Sequence, residues 1–314
     1  MAKEAIENGE EEMSEAEFRK TALKVGAASY AALKNAEKNV RKGESLLKVA
    51  EEAEKLLRDE GFAPAFPINI SIAGNAAHYT PTFGDDSTFP EKGLVKIDFG
   101  AAMNGVLGDC ALTVDLSGDY SAPAEASKEA LENAISKVKA GVQVREIGRL
   151  IAETIGKKGF KPIKNLGGHG VGIHELHDEP FIPNYDNGDT AVLEENTIIA
   201  IEPFATLASG RGLVANGDIK EIFSFVGDFA QPRMPNSRTL LSMIKKDFAY
   251  EPFAARWLGS AVSNRFELYS GLLELERLGI IEAHPVLVEL SGSQVAQFEA
   301  SVLVTKDGCE VLTK

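Results

Sequence analysis

The sequence contains 314 residues, a length that suits one large domain or two smaller ones. Its formal net charge of −14 disfavours binding to DNA or to an anionic membrane surface. The first residues lack the apolar core of a secretory signal, and no apolar run reaches the ~18 residues that span a bilayer. Two cysteines do not make a disulfide framework, so a cytoplasmic, reduced protein is predicted.

The first part of the chain, up to about residue 116, is predicted to contain helices followed by strands. Its acidic start, residues 1–12, is predicted to be a disordered tail. Apolar residues at helical spacing predict two amphipathic helices, over about residues 15–40 and 45–59. Apolar runs predict three strands, over about residues 66–72, 94–99 and 106–116. The last two form a hairpin, because Asn104-Gly105 between them is a strong turn signal.

The same order of elements recurs later in the chain. Two predicted helices, over about residues 124–140 and 144–158, precede an apolar strand that ends in Ile201-Glu202-Pro203. The first copy ends similarly, in Ile97-Asp98-Phe99. An acidic residue at the end of each apolar strand indicates a weak internal duplication with a site between the two halves.

The next segment, residues 232–283, has helical rather than β spacing of its apolar residues and is predicted to be an inserted helical subdomain. Its helices are expected over about residues 237–248 and 266–278. Strands over about residues 286–290 and 295–304 then return the chain to β structure. The catalytic domain is therefore expected to comprise residues 13–231 and 284–314.

Three of the five histidines lie within nine residues, as His169, His174 and His177. Glycines on both sides of His169 let the backbone come close to a ligand or metal. A lone histidine is more often a hydrogen-bonded structural residue. Here the clustering, together with acidic residues elsewhere in apolar sequence, favours a site.

Four acidic residues lie within or beside apolar strands: Asp98, Asp109, Glu202 and Glu299. A buried carboxylate is costly unless it is paired or bound to a metal, and almost no Lys or Arg lies beside these four. Two divalent ions would balance the four charges, with His169 as a neutral nitrogen ligand. Two such ions would hold a bridging water and lower its pKa, which is the chemistry of metal-assisted amide hydrolysis.

Six short stretches resemble, in order and spacing, the type II methionine aminopeptidases. They are Ala77–Pro81, Lys96–Gly100, Asp109–Ala111, Asn165–His169, Ala200–Thr206 and Ala296–Glu299. The resemblance covers about residues 13–314. It implies an α+β pita-bread (creatinase/aminopeptidase) fold, with pseudo-two-fold halves around a dinuclear metal site. The helical insertion, and the spacing of eight between His169 and His177, resemble type II rather than type I enzymes.

The resemblance also implies a role for individual side chains. Two divalent ions of Co, Mn, Fe(II) or Zn would be held by five ligands, Asp98, Asp109, His169, Glu202 and Glu299. Glu202 would in addition handle the proton of the attacking water. His78 and His177 would contact the scissile amide and the developing oxyanion.

A narrow apolar pocket for methionine is expected beside the metal site. By motif position, it would be lined by Phe66, Leu176 and Phe204, with His284 at its rim. From the sequence alone, simple core packing accounts for Phe66 and Phe204 about as well as a role in the pocket does. His284 and Ala300 depart from the tyrosine and histidine that are common in the family, which bears on substrate preference.

The implied function is removal of the initiator methionine from nascent polypeptides, with a preference for small second residues. A monomer is expected, and a transient ribosome contact is compatible with this function. One alternative is an X-Pro aminopeptidase or prolidase of the same fold, although these usually carry a further N-terminal domain. Another is a non-catalytic pita-bread binding protein, although such relatives have lost metal ligands.

Overall fold

The structure is a computed structural model that describes residues 13–314. The acidic tail predicted at residues 1–12 lies outside the described residues. The α-helices are α1 (Glu15–Asn39), α2 (Leu46–Asp59), α3 (Ser121–Lys137), α4 (Val144–Lys157), α5 (Pro235–Asp247) and α6 (Arg265–Arg277). A 3-10 helix spans Ala255–Ala261. Each predicted helix is confirmed within a few residues of its expected bounds.

The strands form four sheets of different size. In the first half they are β1 (Ala63–Pro64), β2 (Asn69–Ile72), β3 (Asn75–Ala77), β4 (Leu94–Phe99), β5 (Ala101–Met103), β6 (Val106–Leu107) and β7 (Cys110–Asp115). Then come β8 (Lys161–Pro162), β9 (Gly167–Gly172), β10 (Glu175–Pro183), β11 (Ile198–Ile201), β12 (Phe204–Thr206) and β13 (Val214–Phe225). The last are β14 (Phe253–Ala254), β15 (Ile281–Glu289), β16 (Val295–Gln297), β17 (Glu299–Val304) and β18 (Cys309–Val311).

The largest sheet joins the two halves of the molecule. Its strands lie in the order β10-β9-β11-β17-β7-β4-β2, with β18 paired to β17. Helices α1 and α2 pack with β2 and β4 in one hydrophobic core, which includes Val25, Leu57 and Ile97. Helices α3 and α4 pack with β11 and β17 in a second core, which includes Ile151 and Val302. The pita-bread architecture is therefore confirmed, with one helix pair packed in each core.

The predicted hairpin has an interruption that the sequence analysis missed. Strand β4 pairs with β7, and β5 pairs with β6 across the Asn104-Gly105 turn. The strand expected over 106–116 is broken at Gly108 and Asp109, where the chain kinks. A Cβ on Gly100 would stand 1.8 Å from the carbonyl oxygen of Gly108, and a Cβ on Gly108 would stand 2.5 Å from the Ser29 hydroxyl, so both positions need glycine. The backbone N–H and carbonyl of Asp109 pair instead with the Ser301 hydroxyl, at 3.0 and 2.7 Å.

Two other predicted strands have different bounds in the structure. Only Asn69–Ile72 of the strand expected at 66–72 forms ladder pairs, because Pro67 lacks an N–H and the Asn69 amide donates to its carbonyl. Strand β15 begins at Ile281 rather than near residue 286, because it continues its antiparallel pairing with β13 up to Phe225.

The helices of the predicted insertion have their own hydrophobic core. Helices α5, α6 and the 3-10 helix pack around Leu240, Leu258 and Leu272, together with Phe223 from β13 and Ile281 from β15. The sheet beneath them has the order β14-β13-β15-β3. The insertion is thus connected through this sheet to β3, which directly precedes His78. Within residues 13–314, no helix is both long and apolar enough to cross a bilayer.

Two glycines in α4 allow a matched test of how this helix packs. A Cβ at Gly148 would lie 2.3 Å from the carbonyl oxygen of Tyr185 and 2.6 Å from that of Pro183, whereas a Cβ at Gly156 would meet open space. We expect Gly148→Ala to lower the free energy of unfolding by about 1–3 kcal/mol through overpacking. Gly156→Ala should raise it by about 0.5–1 kcal/mol through helix propensity. Chemical denaturation measures both, and the same sign for the two variants would contradict the packing.

Candidate metal centre

Five neighbouring strands of the large sheet each bring one candidate ligand to the same place. In sheet order, β9 carries a histidine and β11 ends just before a glutamate. Next, β17 begins with a glutamate, β7 is preceded by an aspartate, and β4 carries an aspartate near its end. In that order the residues are His169, Glu202, Glu299, Asp109 and Asp98. The pairs Ala200–His169, Glu299–Ala111 and Asp98–Ala111 fix the register between these strands.

The side chains converge closely enough to share a metal centre. One ligand atom each from Asp109, His169 and Glu299 lies within 4.8 Å of the other two. The Nε2 of His169 is 3.7 Å from an oxygen of Asp109. The other two acids are joined to this group through Gln297, whose Nε2 lies 3.3 Å from Asp98, 3.2 Å from Glu202 and 3.2 Å from Glu299.

The four carboxyl groups have raised pKa values, an effect that bound cations would compensate. Removal from solvent raises the pKa of Asp98 to about 7. Desolvation and repulsion from one another raise the pKa values of Asp109, Glu202 and Glu299 well above their usual range. Among the described residues, no group donates a hydrogen bond to Oδ1 of Asp98, Oδ1 of Asp109 or Oε1 of Glu299. Inward-facing carboxylate oxygens without donors fit a site for divalent metal ions.

His169 is oriented as a metal ligand should be. Its Nδ1–H donates to the Gly170 carbonyl at 2.9 Å, which leaves Nε2 facing Asp109. Burial, with a further contribution from neighbouring His177, lowers the pKa of His169 to about 3. The imidazole is therefore neutral near pH 7, with its Nε2 lone pair free for a metal. The flanking glycines matter here: a Cβ at Gly168 would lie 2.0 Å from the Ala200 carbonyl oxygen, and one at Gly170 would lie 2.1 Å from that of Glu179.

Two further histidines extend this site from His169: His177 lies next to His169, and His78 lies near His177. The ring of His177 lies edge-on to that of His169, with centroids 4.4 Å apart, and desolvation lowers the pKa of His177. His78 has a left-handed backbone (φ 64°), and its Nδ1–H donates to the Pro285 carbonyl at 3.2 Å. Burial and the nearby His284 and His177 lower the pKa of His78 to about 4. Its Nε2 is therefore an unprotonated acceptor near pH 7.

The residues expected to form the methionine pocket are not all in one cluster. Phe66 is buried in the core of the first half, and Leu176 packs against that same core. Phe204 belongs to a separate cluster with Ile163 and Val295. His284 lies near His78, with ring centroids 6.2 Å apart, and shares a 2.7 Å hydrogen bond with Ser224. The pocket assignment of these residues remains a prediction.

Comparison with known proteins identifies the family. The model of metallopeptidase family M24 matches residues 20–306. The methionine aminopeptidase of Pyrococcus horikoshii is 41% identical over 293 residues, which cover 93% of this chain and 98% of that protein. The enzyme of the same name from Saccharolobus solfataricus is 37% identical over 302 residues, covering 96% and 99%. The chain belongs to metallopeptidase family M24, among its methionine aminopeptidases.

A solved structure agrees with this M24 assignment at the level of the fold. The methionine aminopeptidase of Thermotoga maritima superposes with a TM-score of 0.67 at 24% identity, covering 93% of this chain and 94% of that one. The predicted resemblance is thus confirmed, and the chain is a metallo-aminopeptidase whose acidic and histidine cluster suits divalent metal ions.

Two groups around this M24 site were missed in the sequence analysis. Gln297 donates toward three of the acids, and its position two residues before Glu299 offered a signal, because alternate residues of an extended chain share a face. Arg256 and Glu54 form a buried ion pair, and Arg256 also contacts Thr80 and Pro81 just after His78. Their partners are so distant along the chain that no spacing in the sequence pointed to them. His174, in contrast, contacts Glu251 at 2.9 Å rather than the acids.

The raised carboxyl pKa values predict how the metal-free protein responds to pH. A carboxyl whose pKa is higher in the folded state holds a proton that the unfolded chain has released, so stability falls as pH rises. Above about pH 7 the histidines contribute little, because they are then largely neutral in both states. Above about pH 7, we expect these carboxyls to make the metal-free protein less stable as pH rises, whereas the lowered pKa of buried Lys96 acts in the opposite sense with or without metal.

Metal loading should remove this loss, because bound carboxylates are anions at both about pH 7 and about pH 8.5. Thermal unfolding of chelator-treated and Mn²⁺-loaded protein in the same buffers measures the difference. The same change in stability between pH 7 and 8.5 with and without metal would show that the four carboxyls do not hold protons in the metal-free fold as described.

Proposed function

We propose that this chain is a type II methionine aminopeptidase that removes the initiator methionine from new proteins. We propose further that two divalent ions are held by Asp98, Asp109, His169, Glu202 and Glu299. The observation that carries the assignment is the convergence of these five side chains from five consecutive strands. One carboxylate oxygen each of Asp98, Asp109 and Glu299 accepts no hydrogen bond from the described residues. Bound divalent ions would supply Lewis acidity at the scissile carbonyl and would make an attacking water more acidic.

The chain's own residues would move protons and stabilise charge around this centre. The pKa of Glu202 is raised by desolvation and by Asp98 and Asp109, so its carboxyl can both take a proton from the attacking water and hand it on. The unprotonated Nε2 of His78 would accept a hydrogen bond from the scissile amide N–H. His177 would donate to the oxygen that gains negative charge.

Specificity for methionine would come from an apolar pocket beside this centre. Phe66 and Leu176 pack against a common core close to the His169 and Asp98 strands. Phe204 directly follows the segment that carries Glu202, and His284 stands next to His78. A thioether side chain held by these groups would bring its own carbonyl to the acids and place the following residue under the two histidines.

The role of His177 predicts a change in turnover without a loss of metal. His177→Ala should lower kcat on the order of 10²–10³-fold, because a donor to charge that develops in the transition state is removed. Metal content, measured by elemental analysis, should stay at two ions per chain. His174→Ala is a matched control three residues earlier, since His174 contacts Glu251 instead of the four acids, and it should keep its kcat. Unchanged kcat in His177→Ala would remove this residue from the mechanism.

The proposed crowding under the histidines predicts the preference for the second residue. Peptides that begin Met-Ala, Met-Gly or Met-Ser should be cleaved far better than Met-Leu or Met-Lys peptides, because a long second side chain would displace the amide. A displacement of about 1 Å at a reacting centre can cost 10²-fold in rate. A peptide series that varies only this residue measures kcat/KM, and equal values for Ala and Leu would contradict the crowding.

The same series tests the alternatives. Preferred cleavage before proline after a residue other than methionine would favour an X-Pro aminopeptidase or prolidase, and absence of any cleavage by metal-loaded protein would favour a non-catalytic binding protein. Similarity over nearly the whole length of methionine aminopeptidases supports the first assignment. The monomeric state, the cytoplasmic location and a transient ribosome contact remain predictions.

A further inference from the structure

A buried charged network connects the helical insertion to the segment that carries His78. The guanidinium of Arg256, in the 3-10 helix, is only 3% exposed and pairs with the carboxylate of Glu54 on α2, which is 2% exposed. The other oxygen of Glu54 accepts the indole N–H of Trp257 at 2.7 Å. This network lies outside the metal centre, and the catalytic roles proposed above do not use it.

The second terminal nitrogen of Arg256, Nη1, contacts the segment just after His78. It donates to the Thr80 hydroxyl at 2.6 Å and to the Pro81 carbonyl at 3.2 Å. The Thr80 hydroxyl in turn donates to the Ile68 carbonyl at 2.7 Å, and Thr80 is completely buried. Arg256 therefore fixes a point two residues from His78 and links it to the segment that begins at Phe66.

The backbone of His78 needs such support. A residue other than glycine at φ 64° is in a strained region, which persists only where surrounding contacts over-determine it. The contact of Nδ1 with Pro285 orients the ring, but a single 3.2 Å hydrogen bond does not hold the backbone. The hydrogen bond to the Pro81 carbonyl acts on the backbone itself, and the hydrogen bond to the Thr80 hydroxyl anchors the same segment through a side chain.

Stability alone does not account for a charge pair at this place. Burying a guanidinium and a carboxylate costs desolvation, and well-packed apolar residues of similar size are often as stable or more so. What an apolar pair could not supply is the planar fork, which reaches Glu54 with one nitrogen and the Thr80 and Pro81 oxygens with the other. Both hydrogen bonds of Nη1 go to the segment after His78.

We propose that Arg256 is a positioning residue for His78: by fixing Thr80 and Pro81, the insertion sets the place from which the His78 imidazole meets the scissile amide. The proposal rests on the catalytic role of His78 given under Proposed function. Its consequence is that the helical insertion contributes to turnover through a buried contact, without touching substrate.

The test is a double-mutant cycle between the network and His78 in metal-loaded, full-length protein. Thr80→Val removes the hydroxyl that joins Arg256 to Ile68 while keeping the side-chain shape. We expect kcat to fall about 10- to 100-fold, as for a displacement of about 1 Å at the reacting centre, with two ions still bound and KM changed much less. In a His78→Ala background the same substitution should change kcat less than about two-fold, because its effect acts through the absent imidazole.

Conservative and matched variants separate positioning from simple destabilisation. Thr80→Ser keeps the hydroxyl and should restore kcat, whereas Arg256→Lys keeps the charge but loses the fork and should resemble Thr80→Val. Trp257→Phe removes a donor to Glu54 without touching Thr80 or Pro81, so it should lower the melting temperature and keep kcat. If Arg256→Lys does not fold, the two Thr80 variants carry the test by themselves.

Two results would overturn the proposal. An equal loss of kcat from Thr80→Val in the wild-type and His78→Ala backgrounds would show that the network acts elsewhere, as would full kcat in Thr80→Val. If His78→Ala alone leaves kcat unchanged, the catalytic role of His78 is wrong, and this outcome is distinct from a failure of the positioning role of Arg256.

Discussion

Mutual repulsion among four carboxyl groups is the constraint around which the large sheet is built. Asp98, Asp109, Glu202 and Glu299 stand on adjacent strands, and desolvation raises the pKa of every one of them. Contact among these four carboxyl groups does not stabilise the sheet, so other interactions must hold its strands together. The two apolar cores supply that stabilisation: one buries helices α1 and α2 against the sheet, and the other buries helices α3 and α4 against it.

Much of this site could be read from local sequence, because a charge in an apolar run is a local anomaly. Asp98 and Glu202 end strongly apolar strands, and His169 lies among glycines that mark a close approach of backbone, so each could be located without a structure. The kink at Asp109 could not, because it depends on Gly100 meeting Gly108 and on the hydroxyl of Ser301 from the far end of the chain.

The helices were predictable for the same reason as the acids, since amphipathic spacing is a property of neighbouring residues. Pocket and network residues were not. Phe66 and Phe204 have the sequence signature of ordinary core residues, and the structure places them in different apolar clusters. Arg256 lies in a short 3-10 helix with no periodic pattern, and each of its partners belongs to an element more than a hundred residues away.

The position of β17 has a consequence for how the chain folds during synthesis. This strand, Glu299–Val304, lies in the middle of the large sheet, between β11 on one edge and β7 on the other. It is made after nearly every other element of the fold. Until it leaves the ribosomal tunnel, β11 and β7 present unpaired edges to each other across a gap, a state that favours wrong strand pairing. An enzyme that removes the initiator methionine from other proteins can therefore join its own two halves only after residues 299–304 have been made.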